Sequence, residues 1–223
     1  ALAASARRFD DVVYEVLDAR RATGSGDPDD PTTQLLRETV EGRPLTDAEI
    51  TSIVRNWTVG ELGTIAASVG IIVAYLAHHP EVEARLRAGP SSIPAAIDEI
   101  LRIDAPLIAN RRVTARPVTL AGLALPAGAK VTVLWASANR DEHVFGDPDE
   151  FRLDRDPSSN LLYGAGIHEC PGAPLARLEL RSFVSAFLEG TERLRPVHDP
   201  PPVRAPYPAG GYQSAWVVLD GPA

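Results

Sequence analysis

Tyr163-Gly164-Ala165-Gly166-Ile167-His168-Glu169-Cys170-Pro171-Gly172 is the stretch around which the chain is arranged, and it holds the sequence's single cysteine. Three glycines and a proline in so short a run describe a loop whose backbone turns sharply and passes close to something flat or bulky. A helical pattern begins immediately afterwards, at Ala173-Pro174. A thiolate on a tight loop ahead of a helix, with His168 two residues away, is what a soft metal centre takes from a protein offering one sulfur. Read alone, Cys170 is more often a buried, inert, small apolar residue. Its neighbours decide between the two.

Position by position, the loop resembles the haem-ligand loop F-G-x-G-x-H/R-x-C-x-G of the cytochrome P450 family, with Tyr163 where phenylalanine is usual. In that resemblance Cys170 is the metal ligand, the axial thiolate of haem b (iron protoporphyrin IX), which pushes electron density onto iron and favours O–O cleavage. Gly164, Gly166 and Gly172 let the loop lie against the porphyrin, and His168 reaches a propionate. The implied fold is mainly α with a small β part, the haem-ligand-bearing portion of the family's fold.

The chain has 223 residues, 44% of them hydrophobic, enough for a substantial core. Family members are considerably longer, and the matching motifs belong to their C-terminal half. The chain lacks methionine and opens inside a helical pattern. Residues 1–223 are therefore expected to be the C-terminal portion of one domain, with the N-terminal portion supplying much of the substrate pocket. A net charge of -8 argues against a nucleic-acid partner, since phosphate binding needs clustered Lys and Arg. One cysteine forms no internal disulfide, which suits a cytoplasmic protein. From Leu62 to Pro80 no Lys, Arg, Asp or Glu occurs, long enough to be weighed as a membrane span. Gly63, Thr64, Ser68, Gly70, His78 and His79 lower its hydrophobicity, and a helix buried in a larger protein explains it better, so no membrane is expected.

Phe9, Val12, Val13, Val16 and Leu17 recur at three and four, an amphipathic helix over about residues 5–22. A polar loop from Thr23 to Pro31 ends it, and a short helix around Thr33–Val40 is expected before Gly42 and Pro44. Thr46 and Glu49 form a capping box. No proline follows until Pro80, so a helix over about 47–79 would extend roughly 48 Å at about 1.5 Å per residue. It is apolar on most sides in its second half, as a central core helix is, and the resemblance places the family's distal helix there. Another short helix begins at Pro80, and Ser91-Ser92 caps a helix over about 93–102 carrying Ile97, Ile100 and Leu101 inward. Short strands making a small sheet are expected over about 107–134. A helix over about 173–188 has Leu175, Leu178, Phe183, Val184 and Phe187 for its buried side. Its partial positive N-terminus lies near the sulfur. The proline-rich tail reads as loop until a strand at Ala215–Leu219.

Glu99 and Arg102 stand at i and i+3, an arrangement that is usually a solvated pair of little energetic weight. With Arg155 they resemble the family's E-x-x-R pair and the later arginine that completes a buried charge network, a structural role. The family's spacing before Gly122 makes Arg112 the propionate partner, with Arg111 as the alternative. Ala138-Asn139-Arg140-Asp141 with Phe145, Asp147 and Pro148 resembles the irregular meander leading to the ligand loop.

One departure concerns the family's A-G-x-D/E-T proton-delivery stretch, which here is Gly60-Glu61-Leu62-Gly63-Thr64. The alcohol of Thr64 is kept, Gly63 takes the acid's position, and Glu61, three residues before Thr64 on nearly the same helix face, can act as a displaced acid. Taken together the resemblance implies a soluble, bacterial-type, cytoplasmic monooxygenase. It would insert one atom of O2 into a small organic substrate with electrons from a ferredoxin-type partner. A peroxide-driven peroxygenase and a non-catalytic haem sensor are the alternatives.

Overall fold

The computed structural model describes residues 2–23, 27 and 29–221. Four residues of the expected polar loop, 24–26 and 28, lie outside the described residues. Contacts divide the chain into two compact units, Ala1–Leu62 and Gly63–Ala223, with one helix running through the boundary.

In the first unit, α1 (Leu2–Thr23) and α2 (Pro31–Leu35) precede a hairpin of β1 (Thr39–Val40) and β2 (Arg43–Pro44). The helix expected over Thr33–Val40 is thus corrected: it stops at Leu35. Glu41 and Gly42 both adopt positive φ, 51° and 78°, which closes a two-residue hairpin turn, and β-branched Thr39 and Val40 suit its strand. The long helix α3 (Asp47–His78) starts on the anticipated capping box. Thr46 N–H donates to Glu49 Oε2 at 2.8 Å and Glu49 N–H donates back to Thr46 Oγ1 at 3.3 Å. Val13, Leu17, Leu35 and Ile50 form this unit's core.

In the second unit, α4 (Pro80–Ala88) and α5 (Ile93–Ile103) follow α3. Ser92 makes no side-chain cap; a 3-10 turn over Pro90–Ser92 leads straight into α5, a correction to the serine cap. Next come β3 (Ala109–Val113), β4 (Val118–Leu120), β5 (Leu123–Leu125), β6 (Lys130–Leu134), and the short helices α6 (Trp135–Ala138) and α7 (Glu142–Phe145). Helix α8 (Ala173–Glu189) is followed by β7 (Arg193–Pro196), β8 (Val203–Arg204), β9 (Tyr212–Ser214) and β10 (Val217–Asp220). The small sheet is corrected to separate antiparallel ladders, β3 with β6 and β4 with β5. The tail is more regular than a loop, since β10 pairs with β7 and β9 with β8.

The core gathers the last third of α3 (Ile71, Ile72, Leu76) with α4, α5 and α8. Each such fully buried side chain contributes about 1.5–3 kcal/mol. Among the described residues α3 is the helix long and apolar enough to cross a membrane by length and composition. Its second half packs as a core helix, with Ile65 and Val69 against the cluster around Ile71, and Ile50 near its start enters the first unit's core, while Trp57, Val59 and Leu62 between them are exposed. On α8 the expected Val184 is buried and Phe183 and Phe187 pack half-buried against the core, joined by Ala173, Leu180 and Leu188, while the expected Leu175 and Leu178 are half exposed.

Candidate functional site

The loop ahead of α8 is held by its own backbone. Gly164 N–H donates to Leu161 C=O at 2.9 Å, Glu169 N–H to Gly166 C=O at 3.0 Å, and Cys170 N–H to Tyr163 C=O at 2.8 Å. Gly164 and Gly166 have φ of 75° and 65°, a region side chains rarely adopt. At Gly164 a Cβ would also stand 3.1 Å from the His168 carbonyl. The loop thus closes on itself and presents Cys170 as an exposed free thiol. A Cβ at Gly172 would lie 3.9 Å from that sulfur. Ile167, at 96% exposure, and half-exposed Leu175 and Leu178 give the neighbourhood apolar surface.

Tyr163 is half-buried, its hydroxyl is buried without a hydrogen-bond partner, and the Arg177 guanidinium sits 4.4 Å from its ring centre. Burial first, and the nearby charge of Asp98 second, push its phenol up to about 12.

Helix α5 is buried on two sides. Ile93, Ile97, Ile100 and Leu101 enter the apolar core, and Glu99 and Arg102 are buried under the segment that runs from Asn139 to Arg155. Arg102 grips Glu99 through Nε at 2.7 Å and Nη2 at 2.9 Å, and Arg155 Nε donates to Glu99 Oε1 at 2.8 Å. Arg152 N–H adds a fourth donor at 3.1 Å. Burial alone would raise the Glu99 carboxyl, but the bonds from Arg102, the Arg152 amide and Arg155 together hold it below the usual range. The arginines' other hydrogens reach main-chain carbonyls of the meander: Asn139 at 2.7 Å and Pro148 at 2.9 Å for Arg102; Phe145, Asp147 and, at 3.0 Å, Glu150 for Arg155. The three residues singled out from the sequence therefore meet in one network, which pins the chain leading to the cysteine loop.

The other singled-out residues stand on other elements. His168 is exposed on a 3-10 turn, and half-buried Arg112 donates to the Arg111 carbonyl at 2.9 Å. On strand β3, Arg111 and Arg112 point to opposite faces. Glu61 and Thr64 both lie in α3 and are half-buried. A pocket of about 380 Å3 is lined by Asp98, Glu99, Arg102, Arg155, Asn160 and Arg177 among others; Cys170 is not one of its walls.

Two contributors escaped the sequence. Asn139, wholly buried, accepts the Leu161 N–H on Oδ1 at 2.7 Å. Arg177 covers Tyr163 and reaches Asp98 at 3.4 Å. Membership of the meander stretch was a signal for the first; nothing in the sequence marked the second.

The donor set tests the implied cofactor. Among the described residues no three His, Cys, Asp or Glu side chains gather as a metal site, whereas one exposed sulfur stands on a glycine-turned loop with apolar surface beside it. That suits a flat macrocycle whose iron takes a single protein ligand.

The comparisons with known proteins agree. A family model described as Cytochrome P450 matches residues 92–204. Cyclomarin C epoxidase CymV of Salinispora arenicola is 38% identical over 194 residues, covering 84% of this chain and 49% of that protein. The 6-deoxyerythronolide B hydroxylase of Saccharopolyspora erythraea is 38% identical over 173 residues, 76% of this chain and 42% of its own length. Cytochrome P450 CYP109Q5 from Chondromyces apiculatus superposes with a TM-score of 0.89 at 31% identity, over 99% of this chain and 56% of that one. The chain thus spans about half the length of the curated relatives it matches.

Proposed function

The chain belongs to the cytochrome P450 family, and on that premise we propose that it is the thiolate-bearing portion of a haem monooxygenase. The protein would insert one atom of O2 into a small organic substrate. Electrons would come from a ferredoxin-type partner, and the N-terminal portion of the same domain would complete the pocket. Members of the family bind haem b, which when bound supplies O2 activation and oxygen transfer. Cys170 is the residue that would hold its iron, and its exposed sulfur on a self-closed loop is the observation that carries the reading. Tyr163, Gly164, Gly166 and Gly172 would hold the loop close to the macrocycle, and His168 and Arg112 would pair with its propionates. Glu99, Arg102 and Arg155 would hold the loop's support in place. A reduced Cys170 suits a cytoplasmic location.

In the whole protein, the reduced CO complex should show the red-shifted band of thiolate ligation, and Cys170→Ala should abolish it. A histidine-type band, or normal loading with an unchanged spectrum in Cys170→Ala, rejects the reading. Donor-dependent product formation separates the monooxygenase from a peroxygenase, which turns over with hydrogen peroxide alone, and from a haem sensor, which forms no product.

Proton handling is assigned to Thr64 and Glu61, because Gly63 stands where the family's acid is usual. Glu61→Gln should lower the rate about 10²-fold or more, the scale of a lost general acid, and lower product formed per electron. Unchanged rate and coupling would remove Glu61 from the route.

A further inference from the structure

Asn139 is polar yet has 0% exposure, at the end of α6. Its two oxygens serve two different parts of the fold. The main-chain carbonyl accepts from Arg102 Nη1 at 2.7 Å. The side-chain Oδ1 accepts the Leu161 N–H, also at 2.7 Å. Leu161 in turn accepts the Gly164 N–H at 2.9 Å, and Tyr163 C=O accepts the Cys170 N–H at 2.8 Å. Hydrogen bonds therefore run from Glu99 through Arg102 and Asn139 to the turn at Gly164 that shapes the cysteine loop. The next amide is held in parallel, Leu162 N–H on Asn160 Oδ1 at 2.9 Å, with Asn160 Nδ2 on the Asp98 carbonyl at 3.1 Å.

The amide's other half is unused. Asn139 Nδ2 is buried without a hydrogen-bond partner, which costs stability. An unused donor of that kind is tolerated when the acceptor atom does something the fold needs, and here Oδ1 fixes the main chain at the entrance of the loop.

We infer that Asn139 is a positioning residue for the thiolate, a role that rests on Cys170 being the haem ligand: its Oδ1 transmits the geometry of the buried charge network to the loop. The acceptor alone is required, so aspartate should replace it and alanine should not.

The test uses the whole, haem-loaded protein and reads the reduced CO spectrum of the loaded molecules only. In Asn139→Ala the ratio of thiolate-type to non-thiolate band should fall about tenfold, the scale set by one buried amide left unpaired. Asn139→Asp should keep the wild-type band. Should the alanine variant fail to load at all, rescue by the aspartate variant supports the role equally. A wild-type band in loaded Asn139→Ala overturns it, because a residue needed only for folding lowers yield without moving the band. Loaded Asn139→Asp that lacks the thiolate band overturns it as well. A wild-type protein without a thiolate band would instead overturn the assignment of Cys170, so the two failures are told apart.

Discussion

Glu83 on α4 and Glu99 on α5 are both buried carboxylates met by an arginine one turn along the same helix, yet they fasten different parts of the fold. Glu83 takes Arg87 at 2.6 and 3.1 Å and the main-chain N–H of Leu194 at 3.2 Å. Arg87 continues to the carbonyls of Leu188 and, at 2.6 Å, Thr191. That network ties α4 to the end of α8 and to β7, away from the cysteine. Glu99 receives four donors from Arg102, Arg152 and Arg155, and ties α5 to the meander that feeds the loop. Burial also differs: the Arg102 side chain is 1% exposed, that of Arg87 24%. A buried charge is tolerable when every lone pair is filled, and what its partners belong to decides whether the pair serves the fold at large or the site.

The hardest way to break this comparison is to remove each glutamate in turn. Glu99→Ala leaves Arg102 and Arg155 buried with main-chain carbonyls but no carboxylate, a loss of about 3–5 kcal/mol for a broken buried pair, with haem incorporation lost. Glu83→Ala should cost less, about 1–3 kcal/mol, because partly exposed Arg87 keeps its carbonyls. Whatever loads in the Glu83 variant should retain the thiolate-type CO band. Melting temperature and loaded fraction measure both. Equal melting and equal loading in the two variants would erase the distinction, and a displaced CO band in Glu83→Ala would reverse it.

The same pair shows what was legible in the sequence and what was not. Glu99, Arg102 and Arg155 were found because family spacing singled them out; as an i,i+3 pair alone they look solvated. Glu83 and Arg87 carried no such mark, since Leu188, Thr191 and Leu194, which bury and saturate them, lie more than 100 positions along the chain. The long helices were visible in periodicity and caps, α3 from Thr46 and Glu49 above all. Short strands were visible only in part: those within 107–134 and the one at Ala215–Leu219 were legible from their β-branched and apolar runs, the others were not. Tyr212–Ser214 and Arg193–Pro196 become strands only through partners that the topology supplies, and a proline-rich tail hides that pairing. On α8, Val184, Phe183 and Phe187 pack as read, but Leu175 and Leu178 are apolar and sit beside the exposed loop, where the second unit's core does not reach. Asn139 matters through two hydrogen bonds that no local pattern encodes.

Asp98 sharpens the comparison with the smallest effect, being a carboxylate one residue from Glu99 that is not saturated. Its Oδ1 is buried without a partner, and its one ion pair, with Arg177, is long at 3.4 Å. Burial pushes its carboxyl up, and Arg177 opposes this only in part. The two neighbours therefore act on stability with opposite sign. Glu99, depressed in the fold, binds fewer protons folded than unfolded; its contribution is present above the ordinary glutamate value of about 4.3 and is lost as pH falls through the folded value. Asp98, raised in the fold, holds its proton longer when folded. Its penalty is fully present at neutral pH and disappears as pH falls through the raised value toward the ordinary aspartate value of about 3.9. Asp98→Asn removes the charge, and the ion pair it gives up is weak because the Arg177 side chain is 54% exposed. The variant should melt roughly 1–2 °C higher than wild type at neutral pH, the scale of less than about 1 kcal/mol in a protein of this size. That margin should close as pH falls toward the unfolded aspartate value. Thermal melts of both proteins across the acid range decide it. A variant less stable than wild type at neutral pH, or a margin that widens on acidification, would mean that Arg177 saturates Asp98 as fully as Arg102 and Arg155 saturate Glu99.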